Sequence, residues 1–262
     1  MKLKVRRLSV VGAVLGLVVV WLVANPASYE AIFTKVENTG AADGVTDTGS
    51  NDGMAGGAER EMVLGESGAE VEASAPLATE VLGRLEVKGR APKTGYSREQ
   101  FYNGWPSIEG CSLRQRIIKR EFGDSAMIAD GCNVVAGEFD EPYTGEHKIY
   151  SMREEISKGV QIDHVVALSD AWQKGAQNLD ASVRYELATD PLNLLAVDAS
   201  ANSKKSDGDA ATWLPPNKKF RCQYVARQVS VKYKYQLWVT SAEKEAIERV
   251  LENCPNERVI GV

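Results

Sequence analysis

A few polar residues spread along the chain combine the side-chain types needed to activate a water molecule. Asp163 and His164 are adjacent in the apolar stretch QIDHVVAL, and His164 is one of two histidines in 262 residues. Asn193 and the spaced pair Asn202 and Lys205 follow. A neutral imidazole can accept a proton from water near neutral pH. Carboxylate and amide oxygens suit Mg²⁺ or Mn²⁺. An isolated Asp-His pair is more often structural, but the additional residues favour catalysis.

The patterns around these residues predict two strands and a helix that would bring them together. Apolar residues bounded by turn residues predict strands at 161–168 and 192–197. Asp198 or Ser200 can cap a helix that runs through residue 205. Each element carries at least one of the polar side chains. The three elements are therefore predicted to form a compact ββα unit, with an insertion between its strands.

In this order, the motifs resemble those of the HNH endonucleases, which have the ββα-metal fold. The sequence is similar to the branch whose motif begins with DH and ends with N-x-x-K. That branch includes GmrSD-type C-terminal nuclease domains and small exported HNH proteins. The matching segments are IDHVVALSDAW, TDPLNLLAV, ANSKKSD and ATWLPP. The resemblance covers about residues 105–254, and one departure is Ala167, where the family usually has proline.

The resemblance implies a role for each polar residue of the motif. His164 would be the general base that deprotonates a water molecule, and Asn193 would hold His164 in orientation by hydrogen bonding across the loop. Asp163 and Asn202 would bind one divalent metal ion, Mg²⁺ or Mn²⁺. Lys205 would contact phosphate or stabilise developing charge. The implied function is hydrolysis of phosphodiester bonds in nucleic acid, with DNA favoured over RNA.

Charge and composition leave a second function open. The net charge of −5 argues against a large electrostatic footprint on DNA but leaves room for a local basic groove. The basic run RQRIIKR at 114–120 lies on a predicted helix, and its charges are interpreted as outward-facing. The Trp and Tyr residues are interpreted mostly as core. The alternative function is a non-catalytic, surface-tethered domain that binds nucleic acid or another partner on the same scaffold.

The N-terminal third of the chain differs in composition from the rest. A basic start at 1–7 precedes an uncharged apolar run at 8–24, which is the pattern of an export signal. Residues 1–27 are interpreted as a cleaved signal peptide or an uncleaved membrane anchor. The remainder would be secreted or held at the outer face of the cytoplasmic membrane. Residues 28–95 are predicted to be an acidic, low-complexity linker, and residues 96–262 the HNH nuclease domain.

Four cysteines without a CxxC pattern lie behind the export signal and favour two disulfides over a zinc site. Three pairings are open. The favoured one closes two local loops, Cys111 with Cys132 and Cys222 with Cys254. The predicted fold class is α+β, with the ββα-metal core (also called a His-Me finger) embedded in a single disulfide-stapled domain. Other predicted elements are a helix at 112–122, strands at 131–136 and 230–240, and a helix at 241–251.

Overall fold

Helices and strands are interspersed along residues 75–261, the part of the chain that the computed structural model describes. The helices are α1 (Ala78–Arg84), α2 (Leu113–Phe122), α3 (Arg153–Gly159), α4 (Leu168–Gln173), α5 (Ala181–Thr189), α6 (Ala199–Lys205), α7 (Arg221–Lys234) and α8 (Ser241–Leu251). The strands are β1 (Ser107–Ile108), β2 (Cys111–Ser112), β3 (Met127–Ala129), β4 (Asn133–Asp140), β5 (His147–Tyr150), β6 (Val160–His164) and β7 (Leu194–Asp198). This mixture confirms the α+β class. Within this range no helix has the length and apolar character needed to cross a membrane.

Strands β6 and β7 and helix α6 form the predicted ββα unit. The strands pair antiparallel, with His164 opposite Leu194. Helix α6 follows β7 directly, and the Asp198 side chain caps it by accepting a hydrogen bond from a backbone amide of its first turn. The strand predicted at 161–168 is too long, because the chain turns after His164 and helix α4 follows. The unit therefore places His164 at the very end of its strand.

A three-stranded antiparallel sheet, in the order β3-β4-β5, and helix α2 pack against the ββα unit. Apolar side chains fill the space between them; among these are Ile117, Phe122, Val134, Phe139, Val160 and Leu194. Ser112 caps α2 through its side chain, and Gly123 ends it with a positive φ of 54°, so both predicted helix ends are confirmed. The strand predicted at 131–136 corresponds to the longer β4. This packing holds α2 beside β6.

Helix α1 belongs to the folded domain, although the composition of residues 28–95 predicts a linker there. Its buried side chains are Ala78, Val81 and Leu82, which pack in the core with α7 and α8. A helix of 7 residues contributes too short an apolar pattern to stand out from its acidic, glycine-rich surroundings. The predicted boundary at residue 96 is corrected for residues 75–95, which are part of the domain. The rest of the linker and the predicted signal or anchor at 1–27 lie outside the described residues.

The strand predicted at 230–240 is wrong, since helix α7 continues through Lys234. The stretch SVKYKYQ alternates between basic and less polar residues, which is typical of a half-buried strand. Lys232, however, is fully buried, and its ammonium lies 2.9 Å from a Glu243 oxygen and 3.3 Å from an Asp170 oxygen. This lysine is buried in a helix because acids from distant parts of the sequence neutralise its charge. The alternation of residue types therefore does not indicate which positions are buried.

Two disulfides pair as predicted, Cys111 with Cys132 and Cys222 with Cys254. The linked cysteines are 21 and 32 positions apart. In the chain-entropy account, links that close loops of this size stabilise the fold by about 3–4 kcal/mol each. The first disulfide joins β2 to the turn before β4. The second joins the first turn of α7 to the segment after α8. Helix α8 is the helix predicted at 241–251.

Candidate active site

His164 lies at the C-terminal end of β6, where one hydrogen bond assigns its tautomer. Its Nε2 is 2.9 Å from the carbonyl oxygen of Ala188. A carbonyl oxygen only accepts, so Nε2 carries the hydrogen and Nδ1 keeps its lone pair. Burial, with smaller contributions from the positive charges of Arg98 and Lys205, lowers the pKa of His164 to about 3. The imidazole is therefore neutral at neutral pH, and Nδ1 is its proton-accepting atom.

The His164 ring packs against two aromatic side chains from the loop before β1. Trp105 stacks on it, with ring centroids 5.9 Å apart and planes inclined by 10°. Tyr102 lies at the same centroid distance, 5.9 Å, in a tilted arrangement. The Nε of Arg98 donates a hydrogen bond of 3.2 Å to the Tyr102 hydroxyl. These contacts restrict rotation of the imidazole and bring a cation close to it.

Asn193 connects the two segments that hold His164. Its side chain is fully buried: Oδ1 accepts from the Val166 amide at 2.8 Å, and Nδ2 donates to the carbonyls of Val166 at 3.3 Å and Leu187 at 3.2 Å. Val166 belongs to the turn after His164, and Leu187 precedes Ala188, whose carbonyl binds Nε2. The expected hydrogen bonding across the loop is present. It reaches the histidine through these neighbours rather than by direct contact.

Asp163 and Lys205 form a buried ion pair beside the histidine, 5% and 2% exposed. The Lys205 ammonium lies 3.0 Å from Oδ1 of Asp163 and 2.9 Å from the carbonyl oxygen of His164. The Tyr143 hydroxyl donates to the other Asp163 oxygen. Burial raises the pKa of Asp163, although Lys205 and Tyr143 favour its ionised form. Lys205 therefore holds the Asp-His pair in place. Its ammonium is buried in these contacts and is not exposed to phosphate, as the predicted contact would require.

Asn202 lies one helical turn before Lys205, and its Nδ2 donates a 2.9 Å hydrogen bond to Oε1 of Gln161. Gln161 and Asp163 are two residues apart on β6, so their side chains lie on the same face of the strand. Helix α6 thus contacts this face twice, through Asn202 to Gln161 and through Lys205 to Asp163. Asn202 and Asp163 thus each have their own protein partner, Gln161 for Asn202 and Lys205 for Asp163.

A cleft of about 540 Å³ lies along this part of the ββα unit. Its polar and aromatic lining includes Arg98, Tyr102, Trp105, Arg114, Gln161 and Asn202. No aspartate or glutamate of the described residues lines it. Two arginines without a carboxylate make this cleft locally positive in a chain of net charge −5. Such a cleft suits a polyanion, and its wall of Trp105 and Tyr102 is shared with His164.

Comparison with known proteins gives one family match and one relative. Residues 114–250, just over half of the chain, match the family described as GmrSD restriction endonucleases, C-terminal domain. The chain belongs to this family. A protein of Arthroderma benhamiae described as an uncharacterized secreted protein is 35% identical over 184 residues, covering 69% of this chain and 86% of that protein. No solved structure shows a significant match to the chain. The resemblance to GmrSD-type nuclease domains is thus confirmed.

The two side chains expected to bind metal in this GmrSD C-terminal domain fit that role unequally. Oδ1 of Asn202 makes no hydrogen bond among the described residues and offers a hard oxygen of the kind that Mg²⁺ and Mn²⁺ prefer. Asp163 offers a carboxylate, but its oxygens already accept from Lys205 and Tyr143. Each carboxylate oxygen has two lone-pair sites, so the carboxylate can be shared. The donor chemistry fits a hard divalent ion that shares Asp163 with its protein partners.

A second possible ligand group in the described residues lies away from this site. Ligand atoms of Cys222, Cys254 and Glu257 come within 4.8 Å of one another. Both sulfurs belong to a disulfide, and metals bind the thiolate form of cysteine. This group is therefore not a metal site in the oxidised domain.

Sequence reasoning missed several residues of the GmrSD C-terminal domain's site. Tyr143 comes from the turn-rich segment between β4 and β5, and no local pattern links it to Asp163. Ala188 acts through its backbone, which residue type does not reveal. From the sequence, Trp105 is expected in the core and Arg114 on the outer face of its helix. Helical spacing could have indicated the position of Arg114. It lies between Leu113 and Ile117, which both face the core, so it is close to the buried face of the helix.

Proposed function

We propose that this protein is an exported endonuclease that hydrolyses phosphodiester bonds in DNA with His164 as general base. The hydrogen bond from Nε2 of His164 to the Ala188 carbonyl carries the proposal. It leaves Nδ1 as a proton acceptor on a neutral ring, and that ring packs against the aromatic wall of a cleft with two arginines. Membership of a nuclease-domain family supports the same reaction class.

In the proposed reaction, a water molecule gives a proton to Nδ1 of His164 while its oxygen attacks the phosphorus. The bond between phosphorus and the leaving oxygen breaks, and that oxygen takes up a proton from solvent water. A pKa of about 3 makes the imidazole a weak base in the free protein. A phosphate bound nearby would raise this pKa, because negative charge favours the imidazolium. Substrate binding would therefore strengthen the base that the reaction uses.

A single Mg²⁺ or Mn²⁺ ion held by Asp163 and Asn202 would polarise the phosphate and stabilise the leaving oxygen. The free Oδ1 of Asn202 supports this assignment. Lys205 keeps the Asp163 carboxylate at the end of β6, and Tyr143 keeps its second oxygen in place. These two residues are positioning residues for Asp163, and Asn193 is a positioning residue for the histidine.

Export is supported by two observations besides the apolar N-terminal pattern. The domain contains two disulfides, which persist mainly in oxidising compartments. Its relative from Arthroderma benhamiae is described as secreted. A membrane tether through residues 8–24 stays a prediction, because those residues lie outside the described part of the chain.

The proposal can be tested with the oxidised full chain, supercoiled plasmid DNA and Mg²⁺ or Mn²⁺, with a single-stranded RNA assayed in parallel. We expect wild type to nick the plasmid, chelator to abolish nicking, and His164→Ala to lower the rate by about 10²–10⁴-fold. His147→Ala is a matched control, because this histidine is exposed. Among the described residues its only ion-pair partners are Asp140 and Glu138. If His164→Ala cleaves as fast as wild type, the general-base assignment fails. Cleavage of RNA alone would reassign the substrate.

A non-catalytic binding domain is the second candidate, favoured by one observation. Both oxygens of Asp163 already accept hydrogen bonds from Lys205 and Tyr143, as they would in a purely structural pair. Calorimetric titration with Mn²⁺ distinguishes the candidates. The endonuclease requires binding that is lost in Asn202→Ala. The non-catalytic domain requires no Mn²⁺ binding that depends on Asn202 or Asp163, together with no cleavage.

A further inference from the structure

Arg114 is a partly buried cation that lacks an anionic partner within residues 75–261. It lies in the first turn of α2, and its Nη2 donates to the carbonyl oxygen of Val160 at 2.9 Å. Its Nη1 is enclosed and has no hydrogen-bond partner among the described residues. Burial lowers the pKa of this guanidinium, which reflects the cost of holding a desolvated charge without a counter-charge. Structural arginines normally avoid this cost by pairing.

Other arginines of the same helix are paired. Arg116 forms an ion pair with Glu109, and Arg120 forms one with Glu121. Arg120 also donates to the backbone carbonyls of Pro191 and Leu194. The missing anionic partner of Arg114 is therefore not a general property of the basic run on α2.

The position of Arg114 is the cleft beside His164. Arg114 lines this cleft together with Arg98, Trp105 and Asn202, and no acidic residue of the described chain lines it. Arg98 is exposed, and its charge acts on the imidazole of His164. Two guanidinium groups thus line one cleft from different parts of the chain, the segment before β1 and the first turn of α2. An anion that entered the cleft would meet both.

We propose that Arg114 and Arg98 together bind a backbone phosphate of the DNA substrate in this cleft. This inference rests on the proposed endonuclease function and adds the contact that holds its substrate. A planar guanidinium presents paired N–H donors that match phosphate oxygens. A bound phosphate would also supply the counter-charge that Arg114 lacks. Contacts to the backbone carry no base information, so this site predicts binding with little sequence preference.

The test measures DNA binding without cleavage. The oxidised full chain is titrated into a fluorescent DNA duplex in chelator, and anisotropy is recorded over a range of salt concentrations. We expect Arg114→Gln and Arg98→Gln each to weaken binding about tenfold and to reduce the salt slope by about 1. Arg116→Gln is the matched control on the same helix, with an expected change below about twofold. In cleavage assays, the two cleft variants should raise KM more than they lower kcat.

Each outcome decides the inference. Unchanged affinity and salt slope in both Arg114→Gln and Arg98→Gln would overturn it, as would an equal loss in Arg116→Gln or a wild type that does not bind DNA. If Arg114→Gln melts at a much lower temperature than wild type, Arg98→Gln decides, provided that it melts like wild type, because Arg98 is exposed and its partly buried hydrogen bond to the Tyr102 hydroxyl is the side-chain hydrogen bond that it would lose. Arginine-dependent binding without any cleavage would overturn the endonuclease function and leave the phosphate site standing.

Discussion

The imidazole Nε2 of His164 lies 2.9 Å from the backbone carbonyl oxygen of Ala188. Ala188 is in the last turn of α5, inside the insertion that separates the two strands of the ββα unit. The insertion therefore supplies the acceptor that assigns the tautomer of the proposed base. Any change that moves the end of α5 relative to the end of β6 should shift the position of Nδ1 of His164, even when the substituted residue does not contact the ring.

Substitution of Asn193 tests this connection. Asn193→Ala removes three buried hydrogen bonds that join the turn after His164 to the end of α5. The substitution leaves buried backbone groups without partners, so we expect a loss of about 2–4 kcal/mol in the free energy of unfolding. The measurement is urea denaturation of the oxidised protein, followed by nicking assays under conditions where the variant stays folded.

Asn253→Ala is a suitable control for Asn193→Ala. Asn253 is exposed in the turn after α8, and among the described residues its side chain bonds only to backbone carbonyls of the last turn of that helix. Its removal should change stability by less than about 0.5 kcal/mol. If Asn193→Ala unfolds at the same urea concentration as wild type, the connection described here does not support the site.

The buried pair of Lys205 and Asp163 predicts that the free energy of unfolding depends strongly on charge balance at this site. Lys205→Met leaves the Asp163 carboxylate buried without its ammonium, so we expect a loss of about 3–5 kcal/mol in unfolding free energy. Adding Asp163→Asn should recover part of this loss, because the remaining side chain is neutral. Lys204→Met, at the exposed neighbouring position, should be close to wild type. A double variant no more stable than Lys205→Met would argue against the pair as the source of the effect.

The pKa of His164 predicts how stability changes with pH. Its value is about 3 in the folded protein and about 6.5 in an unfolded chain. Between these values the unfolded chain binds a proton that the folded protein does not, so this contribution to stability is complete above pH 6.5 and falls as the pH decreases towards 3. The steepest slope from one such group is about 1.4 kcal/mol per pH unit.

The comparison that isolates this effect is wild type against His164→Gln, unfolded by urea at pH 7 and at pH 4.5. Asp163 acts in the opposite direction, because its raised pKa makes the folded protein bind protons more readily. It is present in both proteins and cancels in the difference. The stability advantage of wild type should shrink on acidification. An advantage that does not change with pH would contradict the neutral, buried state of His164.

Much of the site's outline was predictable because its signals are local. The cap at Ser112 and the end of α2 at Gly123 depend on a few neighbouring residues, and both are confirmed. Of the two caps predicted for α6, Asp198 and Ser200, the structure has Asp198. The disulfide pairing follows from cysteine order once an exported, loop-closing arrangement is assumed. The motif order also indicated the family, which the match over residues 114–250 shows.

Predictions failed where distant charges meet. Lys232 is buried only because Asp170 and Glu243 reach it from other segments, and the sequence around it therefore suggests a strand instead of helix α7. The composition places helix α1 in the linker for a related reason. Its few apolar residues become core only when α7 and α8 cover them.

By itself, the sequence determined the ββα unit and the identity of its polar residues, because strand ends, caps and motif spacing depend on residues that are close in sequence. Only the tertiary structure decided the working state of each residue. It buried Asp163 against Lys205 and Tyr143, gave His164 its tautomer through Ala188, and left Arg114 without a counter-charge in the cleft. Burial and partners set protonation and charge, and both arise from segments that meet only when the chain folds.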